Sequence, residues 1–202
     1  MPNHTMEHLD ADELLQLAIR ASEANRHEDA LSYLKRALDL SPKNGKIHYL
    51  LGAEHAQIGL YDRAAVEMAR AVELEPDLHT ARFQLGLLHI TSGRVDQAES
   101  TWKPLDALGA EHPLSLFKTG LLHLARDEFD QSIHCLKRGI GLNASNMALN
   151  KDMQRIVNEV EARRSSATAA QAAGTKPSGT KVSQPAHMLL SAYRDRRDDD
   201  KK

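Results

Sequence analysis

Three histidines occupy the same place in similar apolar phrases of the sequence. His55 lies in LGAEHAQIG, His89 in LGLLHITSG and His123 in TGLLHLARD, so they recur every 34 residues. Histidine binds metals and titrates near neutral pH, so such a row suggests a metal site or a pH sensor. Packed helices lie about 8–10 Å apart, whereas a metal needs its ligand atoms within about 2.0–2.3 Å. The spacing therefore excludes one ion shared by all three rings and favours a structural role, and a pH effect on packing stays a hypothesis.

Other residues that could do chemistry are few. Cys135 is the only cysteine of the chain, and the adjacent His134 would not face it on a helix. No GxSxG nucleophile motif, glycine-rich phosphate loop, HExxH zinc motif or paired carboxylate constellation is present. The sequence therefore predicts no catalytic residue, no metal ligand and no cofactor, and we expect that the protein is not an enzyme.

Composition narrows the class of protein further. The formal net charge of −2 argues against an electrostatic nucleic-acid binder. No uninterrupted apolar segment reaches the ~18 residues that are needed to span a bilayer, so membrane insertion is not expected. The opening residues MPNHTMEHLDADELL show no secretory signal. A cytoplasmic location is the resulting expectation.

The elements that position the histidines repeat at the same period of 34 residues. Small, large apolar and leucine positions align in four copies, which span residues 11–44, 45–78, 79–112 and 113–146. Their clearest columns are Ala30, Ala64, Ala98 and Ser132; Leu34, Met68, Trp102 and Leu136; and Leu40, Leu74, Leu108 and Leu142. Within each copy the apolar spacing of i, i+3, i+4 and i+7 predicts two helices. Between them, Asn25, Gly59, Gly93 and Asp127 tolerate the left-handed conformation that ends many helices.

This pattern resembles the tetratricopeptide repeat family. The family pattern L-G-x2-Y, A-x3-F, P is matched by LGAEHAQIGLYDRAAVEMARAVELEP, with His for Tyr and Met for Phe. The resemblance implies an all-α fold, a right-handed α-solenoid of helix-turn-helix repeats with a concave groove. The third copy departs from the pattern at Pro104, which predicts a kink or restart after Lys103. The fourth copy departs from it through Gly139 and Gly141 in its second helix.

The remaining sequence predicts the ends of the repeat domain, which we place at residues 10–163. After the fourth repeat, Leu149, Met153, Ile156 and Val160 form the apolar stripe of a C-terminal capping helix. The composition predicts a disordered N-terminus at 1–9, a capping helix at 147–163, a flexible linker at 164–186 and a short tail motif at 187–202. The apolar residues of that tail motif are Met188, Leu189, Leu190 and Tyr193.

A second apolar face lies on the first helix of each repeat, roughly 120° from the core-facing side. In the family that it resembles, these places line the groove that binds extended or helical peptides. The peptide-binding residues implied by the resemblance are Leu15, Ile19, Tyr49, Ala53, Phe83, Gln84, Leu87, Ile90, Phe117, Lys118, Leu121 and Leu124. The alternative is that the capping helix or the tail of the chain itself covers this strip.

The expected function is therefore a non-enzymatic adaptor or chaperone that binds an apolar protein or peptide segment in the groove. The family's carboxylate clamp for heat-shock chaperone tails is not expected, because only Lys46 and Lys118 are basic in these columns. Alternatives are a structural subunit of a larger secretion or assembly complex, with the tail as its docking motif, and an enzyme regulator that delivers the tail to its target. Homodimerisation and docking of the tail in the groove also stay open.

Overall fold

The structure, a computed structural model, describes residues 9–172, and every regular element in this range is helical. A pair of helices falls within each of the predicted repeats, and a single long helix follows them. The elements are α1 (Ala11–Glu23), α2 (His27–Leu40), α3 (Gly45–Gln57), α4 (Tyr61–Leu74), α5 (His79–Thr91), α6 (Val95–Trp102), a 3-10 helix (Lys103–Leu108), α7 (Pro113–Ala125), α8 (Phe129–Leu142) and α9 (Met147–Ala172).

Local sequence signals set where these helices begin and turn. Asp10 and Glu13 form a reciprocal capping box at the start of α1, where Asp10 Oδ1 accepts a hydrogen bond of 2.8 Å from the Glu13 amide. Asn44 caps α3 by accepting from the Lys46 amide at 3.0 Å. The predicted left-handed turn residues are confirmed, with φ of 54° at Asn25, 80° at Gly59, 73° at Gly93 and 59° at Asp127. Each repeat therefore turns where its sequence permits a positive φ.

The chain divides into two compact units, Met1–Leu85 and Gly86–Lys202. In the first unit, α1, α2 and α3 share a core of small and large apolar side chains. Gly52 lets α3 approach α4, since a Cβ at Gly52 would lie 2.7 Å from Cγ of Met68. This contact explains why glycine follows the leucine in that repeat. The buried members of the core are Leu14, Ala18, Leu34, Ala37, Ile47 and Leu51.

In the second unit, α6 ends at Trp102 and the chain continues as a 3-10 helix from Lys103 to Leu108. This change confirms the interruption predicted from Pro104, because proline cannot donate the hydrogen bond that an α-helix requires at that point. Contacts with α7 hold the 3-10 helix. The Ser115 hydroxyl donates to the Leu105 carbonyl at 3.0 Å, and the Lys118 ammonium pairs with the Asp106 carboxylate.

The last helix, α9, packs on α8 through the apolar stripe that the sequence predicts. Leu149, Met153, Ile156 and Val160 are all buried. The helix runs to Ala172, so the predicted boundary between a capping helix at 147–163 and a linker from 164 is wrong. Its alanine-rich continuation has high intrinsic helix propensity, and that propensity outweighs the absence of an apolar face.

Several predicted segments fall beyond the described range. The tail residues Met188, Leu189, Leu190 and Tyr193, and the rest of the linker and tail after Ala172, lie outside the described residues. The same holds for the predicted disordered N-terminus, except for Leu9, which packs in part against the core of the first unit. No helix within residues 9–172 combines the length and the apolar content that a bilayer span requires.

Candidate peptide-binding face

The histidine row takes no part in a common site. His55 is 8% exposed in the first unit, and its Nδ1 is buried without a hydrogen-bond partner, as is Nδ1 of His89 in the second unit. His123 instead pairs with the Glu128 carboxylate. Within residues 9–172, no three His, Cys, Asp or Glu side chains are grouped so that they could hold a metal ion.

Burial makes two of these histidines harder to protonate. It lowers the pKa of His55, an effect that Glu67 opposes and Arg63 and Lys35 reinforce. The pKa of His89 is also lowered, by burial first and by the nearby charge of Arg94 second. Both rings are therefore neutral members of the helical packing near neutral pH.

Most of the predicted groove residues in the third and fourth repeats belong to the core. A side chain that is fully enclosed cannot anchor a ligand, so the expected exposure of these residues is wrong. Exposed fractions are 0% for Phe83, 3% for Leu87, 1% for Ile90, and 0% for Phe117, Leu121 and Leu124.

The fourth repeat shows why Phe117 points inward. A Cβ at Gly139 of α8 would lie 2.6 Å from Cε1 of Phe117, so the ring occupies the space that the missing side chain leaves. Lys118, also predicted to contact a peptide, is 7% exposed and paired with Asp106. The glycine at position 139, where the first two repeats have alanine, was the sequence signal for this arrangement.

In the first two repeats the predicted residues keep accessible surface. Leu15 and Ile19 of α1 and Tyr49 and Ala53 of α3 are each half-buried, and we call these four residues the α1–α3 face. Gln84, from the beginning of the third repeat, is half-buried as well. The face is therefore the part of the predicted strip whose side chains still offer surface to a partner.

A polar cluster joins the two helices at one end of this face. The Glu54 carboxylate of α3 is 3% exposed, and it accepts a hydrogen bond from the Ser22 hydroxyl of α1. Nδ1 of His27, in the first turn of α2, lies 2.9 Å from the same carboxylate and donates to it. These hydrogen bonds connect the end of α1 and the start of α2 to α3.

The same cluster is not a serine–histidine dyad. Ser22 donates to Glu54 rather than to His27, so the hydroxyl–imidazole hydrogen bond of such a dyad is not formed. Cys135 is also unsuited as a nucleophile, because burial raises the pKa of its thiol despite the opposing charge of Arg138. These arrangements are structural.

Charged side chains flank the apolar residues of the face. At about 100° per residue, positions seven before and four after Ile19 share its side of α1. These positions are Asp12 and Glu23, and both are exposed. The sequence prediction did not include them, although the helical spacing from Ile19 was available as a signal. On α3 the residue equivalent to Asp12 is Lys46, which is exposed too.

Tyr49 contributes a large ring to the face. Burial raises the pKa of its phenol, so the hydroxyl is uncharged near neutral pH. The ring is half-buried, so part of its surface remains accessible to a partner.

Comparison with models of protein families identifies tetratricopeptide repeats in the chain. Two models, each described as tetratricopeptide repeat, match residues 21–77 and 54–103. No curated protein sequence matches the chain.

Solved structures show the same fold. The chain is similar to MamA from Desulfovibrio magneticus RS-1, with 15% identity over 94% of this chain and 97% of that one at a TM-score of 0.57. It is similar to TTC0263, a thermophilic TPR protein of Thermus thermophilus, with 19% identity, coverage of 90% and 98%, and a TM-score of 0.63. The APC/C hetero-tetramer Cut9–Hcn1 gives 17% identity, coverage of 94% and 34%, and a TM-score of 0.69. These likenesses confirm the predicted fold class, an all-α solenoid of helical repeats.

Proposed function

Because this chain is a tetratricopeptide repeat protein, we propose that it is a non-enzymatic adaptor or chaperone that binds an apolar peptide segment of another protein on the α1–α3 face. One observation carries the proposal. Ile19 and Tyr49 are not among the side chains that form or pack against the core of α1, α2 and α3, and both are only partly buried. Apolar surface that packing does not require usually marks an interaction site.

The size of the face sets the affinity that it can support. Burying one large apolar anchor of a partner contributes about 1.5–3 kcal/mol. Two or three such anchors against Leu15, Ile19 and Tyr49 then contribute roughly 3–9 kcal/mol before the cost of ordering the peptide. Micromolar binding corresponds to about 8 kcal/mol, so the face supports weak and reversible association.

The flanking charges specify the partner further. Asp12 and Glu23 lie at the two ends of the exposed side of α1, and neither forms an ion pair with another residue of the described range. Basic residues on either side of an apolar anchor would complement them. The proposed ligand is therefore an apolar segment that carries arginine or lysine at its flanks.

Short synthetic peptides test this proposal. Leucine or methionine anchors would be flanked by arginine, glutamine or glutamate, and binding to the full chain would be measured by fluorescence anisotropy. We expect the arginine-flanked peptide to bind best, and Ile19→Glu to weaken it by about tenfold or more. The matched control is Val66→Glu, because Val66 is 67% exposed on α4 and lies outside the face. Equal affinity of wild type and Ile19→Glu would contradict the proposal.

The alternative is a structural subunit whose apolar surface is permanently covered by a partner. A solved structure with the same fold is described as a hetero-tetramer, which favours keeping this alternative. An obligate subunit produced alone should aggregate irreversibly, whereas an adaptor should remain folded and soluble, and any association between its copies should reverse on dilution. Light scattering on the purified chain distinguishes the two. Phe83→Glu and Phe117→Glu cannot distinguish an adaptor from an obligate subunit, because both phenylalanines are core residues and either change would affect folding itself.

A further inference from the structure

We infer that the α1–α3 face binds the C-terminal segment 187–197 of a second copy of this chain. The inference rests on the proposed function, since it concerns the same face, and it names an occupant. It predicts head-to-tail association, in which the face of one molecule takes the segment of the next.

The segment has the composition that the face selects. Met188, Leu189, Leu190 and Tyr193 place four large apolar side chains within six positions, too few to form a core of their own. Arg194, Arg196 and Arg197 follow directly, with Asp195 as the one acid among them. The arginines lie on one side of the apolar cluster, so they can complement one of the two acidic ends of α1, Asp12 or Glu23, and Asp198, Asp199 and Asp200 lie outside the proposed segment.

The length of chain before the segment allows it to reach another molecule. The described helix α9 ends at Ala172, and residues 173–186 separate it from the segment. Fourteen residues span at most roughly 45–50 Å. Each molecule carries one face and one segment, so two copies can exchange segments in a closed dimer, or the pairing can continue from one molecule to the next.

Association of this kind would compete with an external ligand, because both use Ile19 and Tyr49. At low concentration the face is free for a partner, and at high concentration segments of other copies occupy it. Its strength should fall with salt, since exposed charges on both sides contribute.

A mixing experiment with full-length variants tests the inference. The face variant is Ile19→Glu with Tyr49→Glu, and the segment variant is Leu189→Glu with Leu190→Glu. We expect the wild-type mass from light scattering to rise with concentration, and each variant alone to remain at the monomer mass. Mixed together, the two variants should form a one-to-one dimer that grows no further, because each supplies the surface that the other lacks.

Several outcomes would overturn the inference. Wild type that stays monomeric at every concentration while segment peptide 187–197 still binds the segment variant would indicate docking within one molecule. A mixture that stays monomeric, or a segment variant that still associates, would exclude the segment as the occupant. The segment variant lies outside the described helices, so its result stands even where the face variant unfolds, as circular dichroism would show. Should arginine-flanked peptides bind while the segment does not, this inference fails and the proposed function stands.

Discussion

At the residue scale, the contact between Gly86 and Trp102 makes the sharpest prediction about stability. A Cβ at Gly86 would lie 2.1 Å from Nε1 of Trp102, whose ring is fully buried. Gly86→Ala should therefore lower the free energy of unfolding by about 1–3 kcal/mol, since neither helix backbone nor ring can move away cheaply. The matched control is Gly141→Ala in α8, where a Cβ meets no atom within 4 Å. Gly141→Ala should raise the free energy of unfolding by up to about 1 kcal/mol, because alanine favours the helix more than glycine does. Urea denaturation measures the free energy of unfolding of both variants. Equal effects of Gly86→Ala and Gly141→Ala would contradict the close contact between Gly86 and Trp102.

The lowered pKa values of His55 and His89 predict a loss of stability in acid. In the unfolded chain both rings titrate near ~6.5, and in the folded chain they titrate lower because burial disfavours the charged form. Above pH ~6.5 both states are neutral, so the full stability is present. As the pH falls from ~6.5 toward the folded pKa, the unfolded state takes up protons that the folded state does not, and stability decreases.

The measurement is the midpoint of thermal unfolding between pH 7.5 and 5.5. The wild-type midpoint should fall over this range, and the double variant His55→Gln, His89→Gln should show a shallower dependence. If the thermal midpoints of wild type and variant depend on pH in the same way, titratable groups other than His55 and His89 cause the loss of stability. A flat wild-type midpoint would contradict the prediction entirely.

Residue positions were predictable where a single column of the repeat determines them. Gly52 and Gly86 occupy one column of the repeat, directly after its leucine, and the structure puts Met68 and Trp102 against them. The inward position of Phe117 was not predicted. It depends on the space above Gly139 on another helix, and the helical periodicity of α7 carries no information about that neighbour.

At the element scale, the 3-10 helix after Trp102 shows how a local signal and a tertiary contact combine. Pro104 indicated where the α-helix would end, but not what would hold the segment that follows. The Ser115 hydroxyl is buried and donates to the Leu105 carbonyl at 3.0 Å. Ser115→Ala should cost about 1–3 kcal/mol, because the buried carbonyl would lose its partner.

Ser100 provides the control for this change. Its hydroxyl also donates to a backbone carbonyl at 3.0 Å, that of Gln97, but at an exposed site where water can replace it. Ser100→Ala should therefore stay within about 0.5 kcal/mol of wild type. If chemical denaturation shows the same cost for both serines, the Ser115 bond does not hold the 3-10 helix.

At the scale of the whole molecule, the sequence was sufficient for the fold class and insufficient for the site. The helical spacing of apolar residues recurs in all four repeats and predicts a pair of helices in each. The apolar sides of these helices are buried only when neighbouring repeats stack on one another. Exposure of the second apolar face depends on how side chains pack between helices. Leu87 and Leu121 occupy the same column as Ile19 and Ala53, yet they are 3% and 0% exposed whereas Ile19 and Ala53 keep accessible surface. A repeat pattern treats these four positions as equivalent, and only the packed structure separates them.

This difference yields a prediction for one substitution made at two places in the predicted groove. Phe117→Glu removes a fully buried ring and buries a carboxylate beside Gly139, so it should lower the free energy of unfolding by at least about 3–5 kcal/mol. Ile19→Glu places its charge at a half-buried position with accessible surface and should cost roughly 1–2 kcal/mol while it weakens peptide binding. Urea midpoints together with anisotropy on the arginine-flanked peptide separate the two effects. A Phe117→Glu variant that stays as stable as wild type but loses the peptide would return the binding site to the fourth repeat and remove the basis for the α1–α3 face.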